Sequence, residues 1–272
     1  MTPQQRQDDD GEGSTANRAA ESTNEGFDVR LGADRLATAV DAAAAVADEC
    51  RMTLGDGVAF RARDPADVAM AELRLGREAF DAYEAGEATF GVALDRLGDA
   101  VSLADGESVR LALGEGGRFD VSAGAVEYAF APIAAEAVRE VQWVDAGSAA
   151  ASATMAADDL RRAVRAADLV ADHATFAVDP DERTLTVTAS GDTDDVRLDF
   201  DEGDLDALDA RAVESLYSVD YLRDIVGAIP TGVSVSVEFV GGGEGGCPLS
   251  LEHSFAGGGG TGRWLLAPRI RR

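Results

Sequence analysis

The side chains that most often do chemistry are few and scattered in this chain. It has two histidines, His173 and His253, and two cysteines, Cys50 and Cys247. None of the four stands at a metal-ligand spacing with another. The glycine-rich stretches Gly241–Gly246 and Gly257–Gly260 could cradle a phosphate. That chemistry needs the lysine of G-x-x-x-x-G-K-[ST], and the chain contains no lysine. They read instead as hairpin loops. The run "SGDTDDVRLDF" (Ser190–Phe200) offers carboxylates to a divalent ion but lacks the Gly at position 6 and Glu at position 12 of a calcium loop. It reads as a turn followed by a strand. A carboxylate pair could serve as general acid and base, yet among 51 acidic residues the closeness of two carries no information. No catalytic residue, cofactor or metal site is expected, and the chain does not read as an enzyme.

The remaining chemistry is that of arginine. All 24 basic residues are arginine, against 51 acids, for a formal net charge of -27. So large an excess excludes simple electrostatic capture of nucleic acid or of an anionic membrane. An acidic, lysine-free surface resembles proteins of salt-accumulating microbes, where charge mainly serves solubility. At about 1 M salt the Debye length is about 3 Å, so long-range steering nearly vanishes. Arg162 and Arg165 are three apart and would share one helix face. The last residues, "LLAPRIRR" (Leu265–Arg272), are locally basic in an otherwise acidic chain.

These residues must be positioned by a duplicated scaffold. "ADRLATAVDAAAAVAD" (Ala33–Asp48) aligns with "ADDLRRAVRAADLVAD" (Ala157–Asp172) at an offset of 124, and "LDRLGDAV" with "VDYLRDIV" (Leu94 and Val219 onward) at 125. Two separate helices at nearly one offset indicate a tandem duplication. Asp34 and Asp158 stand where an N-cap or first-turn acid belongs. In each half alternating strands follow the first helix: "VAFRAR" and "DVAMAELRL", then "RTLTVTAS" and "DDVRLDF". A second helix and further strands close each half, "RFDVSAGAVEYAFAP" in the first and "CPLSLEHSF" and "RWLLAP" in the second. The fold class is α+β, duplicated, with two helices per half on one face of antiparallel sheets. Residues 1–26 are polar and acidic and read as a disordered tail. They lack the apolar core of a signal peptide, and no apolar run approaches a membrane span. Residues 27–132 form one domain, 133–154 a connector without clean periodicity, and 155–272 the second domain. Two cysteines in a chain this long read as reduced and intracellular.

"RARDPADVAMAELRL" (Arg61–Leu75), "SGDTDDVRLDF", "SLYSVDYLRDIVGAIP" (Ser215–Pro230) and "WLLAPRI" (Trp264–Ile270) together resemble the sliding clamps of archaea and eukaryotes, the proliferating cell nuclear antigen (PCNA) family, and most of all its salt-adapted archaeal branch. The resemblance runs from about Phe27 to the end. It implies a head-to-tail homotrimeric ring whose helices line a hole around duplex DNA, in the cytoplasm at the nucleoid. It implies no enzyme activity. The partners would be DNA polymerase, a clamp loader, flap nuclease and ligase, bound through short peptide motifs. The DNA-facing candidates are Arg35, Arg96, Arg161, Arg162, Arg165 and Arg223. The partner pocket, carried over by position, takes Arg63, Met70, Val144, Pro248, Leu265, Ala267, Pro268 and Ile270. Edge strands near Gly117–Val126 and Arg183–Ser190 would join subunits.

Two departures from the family pattern stand out. The first helix has almost no basic residue after Arg35. The connector segment "REVQWVDAGSAAA" (Arg139–Ala151) has no proline and an unusual Trp143, so it is expected to be mobile and to offer few anchors. The same fold would also suit a diverged partner-binding module or a subunit of a mixed ring without a polymerase role. Arg271 and Arg272 fall where family tails turn acidic.

Overall fold

The computed structural model describes residues 26–104, 106–143, 149–209, 211–241 and 246–270. Of the N-terminal tail only Gly26 falls among them.

Both halves run in one order: a strand, a helix, five strands, a helix, three strands. The first comprises β1 (Phe27–Gly32), α1 (Ala33–Ala44), β2 (Glu49–Gly55), β3 (Gly57–Arg63), β4 (Ala69–Leu75), β5 (Ala82–Ala85), β6 (Ala88–Ala93), α2 (Leu94–Ser102), β7 (Ser108–Leu113), β8 (Phe119–Ala123) and β9 (Val126–Phe130). The second comprises β10 (Ala149–Ala156), α3 (Ala157–Asp168), β11 (His173–Asp179), β12 (Thr184–Ser190), β13 (Asp195–Phe200), β14 (Leu205–Asp209), β15 (Val213–Ser218), α4 (Val219–Ala228), β16 (Ser234–Val240), β17 (Leu249–Phe255) and β18 (Gly260–Leu266). The expected helices and duplication are present. β10 takes in Ala149–Thr154, which the sequence pattern assigns to the connector. Four of those six residues are alanine, a weak strand former, and only Ser152 and Thr154 supply polar positions. The stretch nevertheless pairs with β16, and Ser152–Thr154 pair with β14 as well.

All strand pairings are antiparallel. Each half contributes a five-stranded unit, ordered β5-β1-β7-β8-β9 in the first and β14-β10-β16-β17-β18 in the second, and a four-stranded unit, β4-β3-β2-β6 and β13-β12-β11-β15. β18 pairs with β4 from Gly260↔Leu75 to Leu266↔Ala69. That joint fuses the second half's five strands and the first half's four into one nine-stranded sheet. Alternate residues of β2, β3 and β11 are buried, as expected of strands with one face on a core and one outward. Helices cover the core face. α3 buries Leu160, Ala163, Val164 and Ala167, an i, i+3, i+4, i+7 stripe, and its alanines let the backbone lie close to the sheet.

None of the four helices has a side-chain N-cap. Backbone carbonyls do that work. Ala33 N–H donates to Glu107 O and Leu94 N–H to Asp48 O, so each helix of the first half is capped by the loop following the other. Ala157 and Val219 repeat the arrangement on Val233 O and Asp172 O. Asp34, Asp95, Asp158 and Asp220 occupy the first turns, where a negative charge favours the positive helix end.

The two halves are locked by Trp264 of β18. It is fully buried and stacks on His253 with ring centroids 5.4 Å apart. Its Nε1–H donates to Ala42 O of α1 over 3.1 Å. That carbonyl has no helical donor, because Val46 N–H turns to Ala43 O instead.

Candidate functional site

The helices form one continuous layer: α1 packs on α2, α3 on α4, and α1 on α4. The layer carries nine carboxylates (Asp34, Asp41, Asp95, Asp99, Asp158, Asp159, Asp168, Asp220, Asp224) against six arginines. The arginines are not equivalent. Arg35 donates Nη1–H to Ala79 O at 2.7 Å. Arg161 donates to Ile229 O at 2.6 Å and pairs with Asp158, leaving its side chain 21% exposed. Both are consumed in bracing the fold, through contacts 44 and 68 residues away in sequence. Arg223 stands among Asp168, Asp220 and Asp224. Asp224 above all, then Asp168 and Asp220, raises its pKa. Arg162 pairs with Asp159 at 2.7 Å yet is 68% exposed. Arg96 and Arg165 are exposed as well. Arg96, Arg162 and Arg165 are therefore the arginines of this layer best placed to reach an external phosphate.

On the sheet face away from the helices a second group of residues converges. Asp64 is buried and accepts Ala66 N–H at 2.9 Å and Val68 N–H at 3.1 Å, which folds the loop between β3 and β4. Asp67 in that loop has φ 61° and receives Arg63 Nε at 2.8 Å and Arg139. Burial raises its pKa, but Arg139 and Arg63 outweigh that and hold it below the ordinary range. Met70 is in register with Arg63 on one side and Leu265 on the other. Beyond β18 the chain stays tied down: Ala267 N–H donates to Val68 O at 2.8 Å and Arg269 N–H to Leu216 O at 2.7 Å. Arg269 Nε donates to His173 Nε2 at 3.1 Å. Leu249 is in register with Leu266, which sets Pro248 at the level of Ala267, and Pro268 lies against Gly246. Strand register and the Pro268–Gly246 approach thus bring Arg63, Met70, Pro248, Leu265, Ala267 and Pro268 together, with Leu265 itself buried. Ile270 extends from this group, 75% exposed. Val144, Arg271 and Arg272 lie outside the described residues.

The connector departs from expectation over its described part. Ile133 bridges Gly91 of β6. A Cβ on Gly91 would come within 2.6 Å of Val138 and 2.9 Å of Ile133, so only glycine admits this approach. Arg51 binds Ala135 O and Glu140, and Arg139 reaches Pro65 O. Val138 and Val141 are buried, and the Trp143 ring lies 4.6 Å from the Arg263 guanidinium carbon. Residues 133–143 are strapped across the sheet rather than loose. The sequence signal for this was Gly91 itself, a glycine inside an apolar strand, which marks close backbone approach.

The expected edge strands are displaced by one. "RFDVSAGAVEYAF" is a hairpin turning at Gly124 (φ 56°), so β8 is interior and β9 ends its sheet. Arg183–Ser190 covers β12, which is enclosed by β11 and β13, and β13 is the edge.

No protein-family model matches the chain. Whole-length relatives do. The DNA polymerase sliding clamp of Natronomonas pharaonis is 39% identical over 248 residues, 90% of this chain and 99% of that protein. The sliding clamp of Haloarcula marismortui is 38% identical over the same shares. Among solved structures, A. fulgidus PCNA with the C-terminal region of FEN-1 bound matches with a TM-score of 0.83 at 28% identity, over 90% of this chain and 99% of that one. PCNA from Thermococcus kodakaraensis matches with a TM-score of 0.79 at 26% identity, over 89% and 100%. With the duplicated fold, the continuous helix layer and full-length identity in agreement, the chain belongs to the DNA polymerase sliding clamp family, that of PCNA.

Proposed function

We propose that this protein is a processivity clamp: three copies close head to tail around duplex DNA and tether a polymerase, flap nuclease and ligase to it. The observation that carries the assembly is the pair of strands β9 and β13. They are the repeat counterparts of β18 and β4, which are already joined within the chain, and both end their sheets. A joint made from two different surfaces is heterologous and closes into a ring when the rotation permits. Each such joint would complete another nine-stranded sheet. The helix layer would then face the hole, with Arg96, Arg162 and Arg165 meeting phosphates.

A closed ring holds DNA topologically, so a net-acidic layer and high salt do not disqualify it, although both weaken phosphate contacts. The patch of Met70, Pro248, Leu265, Ala267 and Pro268 would receive partner peptides. Its aliphatic side chains suit an aromatic guest, which could bury about 150–250 Å². That the A. fulgidus clamp has been solved with the C-terminal region of FEN-1 supports this reading. Among the described residues no helix is long and apolar enough to cross a membrane; work on DNA would place the ring in the cytoplasm at the nucleoid.

The test is primer extension in high salt on DNA blocked at both ends, with a matching polymerase and clamp loader. Longer products with the clamp are expected, and loss of that gain on linear DNA with free ends. No gain in product length on the blocked template would refute the processivity role.

A further inference from the structure

The repeat also fixes how the two free edges meet. We infer that β9 of one copy pairs with β13 of the next in the register that sets Glu127 opposite Arg197, with Tyr128 opposite Val196. The inference rests on the ring reading above and adds the register and the charges of the joint.

The register follows from matching strand ladders in the two halves. Gly32 and Ala156, the residues before α1 and α3, stand opposite Ser108 and Ser234. Two residues on, Arg110 faces Ser122 and Ser236 faces Glu252. Ser122 in turn faces Glu127, and Glu252 faces Arg263. Glu127 is thus the counterpart of Arg263. On the other side Glu49 and His173 face Ala93 and Ser218, the residues before α2 and α4. Two residues on, Arg51 faces Arg61 and Thr175 faces Thr188. Arg61 faces Glu72, and Thr188 faces Arg197. Arg197 is thus the counterpart of Glu72. Within the chain Arg263 and Glu72 are opposite one another. The joint between copies repeats that position as Glu127 opposite Arg197, with the polarity reversed.

The neighbours agree. Glu72 has Arg74 beside it on the same strand face at 2.8 Å, and Arg197 has Asp199 at 2.7 Å: again the same pattern with opposite signs. Tyr128 is the counterpart of Trp264 and is 37% exposed, one of few large apolar side chains left open among the described residues. It lies on the core side, its ring 5.8 Å from that of Phe130. Val196 and Leu198, which would face Tyr128 and Val126, are partly buried and pack on their own core. The joint therefore sets apolar pairs toward the core and an ion pair outward, as a half-buried antiparallel ladder requires.

The test is disulfide trapping in the full chain. Its native Cys50 and Cys247 are buried. Double variants E127C/R197C and Y128C/V196C probe the register. Adjacent antiparallel pairs alternate between the wide and the close kind, so one of the two has the closer geometry. E127C/D195C and E127C/D199C are shifted by two residues on the same face, beyond the usual Cα separation for a disulfide. After mild oxidation with diamide, denaturing gels of an in-register variant are expected to show cross-linked dimer and trimer, at least fivefold above either shifted variant. If a shifted variant cross-links as well or better, or if none does while the wild-type chain sediments as a trimer, the register is wrong and the ring stands. A wild-type monomer at micromolar concentration overturns both. Charge reversal gives a check independent of cysteine chemistry. Glu127→Arg or Arg197→Glu alone is expected to weaken each joint roughly fivefold, and the two together to restore it. Equal weakening by the double variant overturns the pairing.

Discussion

Replacing Trp264 with Phe isolates one buried hydrogen bond between the two halves, apart from the β18–β4 ladder. The substitution keeps an aromatic ring against His253 but removes the one donor to Ala42 O found among the described residues. Ala42 is fully buried, so water cannot replace the lost partner. An orphaned buried carbonyl costs about 1–3 kcal/mol, and the smaller ring leaves a cavity costing about 1 kcal/mol more. At about 2–4 °C per kcal/mol for a chain of this size, the Tm should fall by about 5–15 °C. The assay is a thermal melt at fixed protein and salt concentration, because assembly shifts apparent stability. Trp143→Phe is the internal control. Trp143 Nε1 has no hydrogen-bond partner among the described residues, and its ring keeps a face toward Arg263, so its Tm should move by less than about 2 °C. A Trp264→Phe melt within 2 °C of wild type, or an equal drop in the control, would refute the reasoning.

Four further outcomes are expected. Gly91→Ala should displace Ile133 and Val138, cost about 1–3 kcal/mol and speed proteolysis within residues 133–143; an unchanged digest would count against the strap. Arg161→Ala should lower Tm without changing the salt dependence of DNA binding, because Arg161 is spent on Ile229 O and Asp158. Arg162→Ala with Arg165→Ala should do the reverse, reducing the salt slope by about one for each phosphate no longer neutralised, as read by DNA binding across a salt series. Burial holds His253 below its ordinary value of 6.5. As pH falls below about 6.5 the unfolded chain takes up a proton that the folded chain resists, so stability should decline from there downward. His253→Asn should flatten that slope between pH 6.5 and 5.5 in denaturant titrations.

What was legible in the chain was what is local or repeated. The helices recur at offsets of 124 and 125, and alternation marked β3, β12 and β13. What was hidden depends on distant backbone. The helices are capped by carbonyls of other segments, so Asp34 and Asp158 fall in the first turn rather than at the cap. Arg35 and Arg161 look like free cations in sequence, and their carbonyl partners are set by tertiary structure alone. A glycine at position 124 separates β8 from β9, and missing that turn moved the expected edge by one strand. The patch around Met70 and Leu265 was reached through resemblance. Its residues are 195 positions apart, and only the β4–β18 register brings them together.

The helix layer, with carboxylates outnumbering arginines, bears on motion rather than attachment. A ring that travels with a polymerase must break and remake its phosphate contacts at every base-pair step, and each contact adds drag. With Arg96, Arg162 and Arg165 as the cations best placed to reach a phosphate, Arg223 held among three carboxylates, and Arg35 and Arg161 spent on backbone, the inner surface of the proposed ring would hold few such footholds. Mobile cations would fill the gap between it and the duplex. Such a bearing would have low friction, and its one-dimensional diffusion along DNA should vary little with salt.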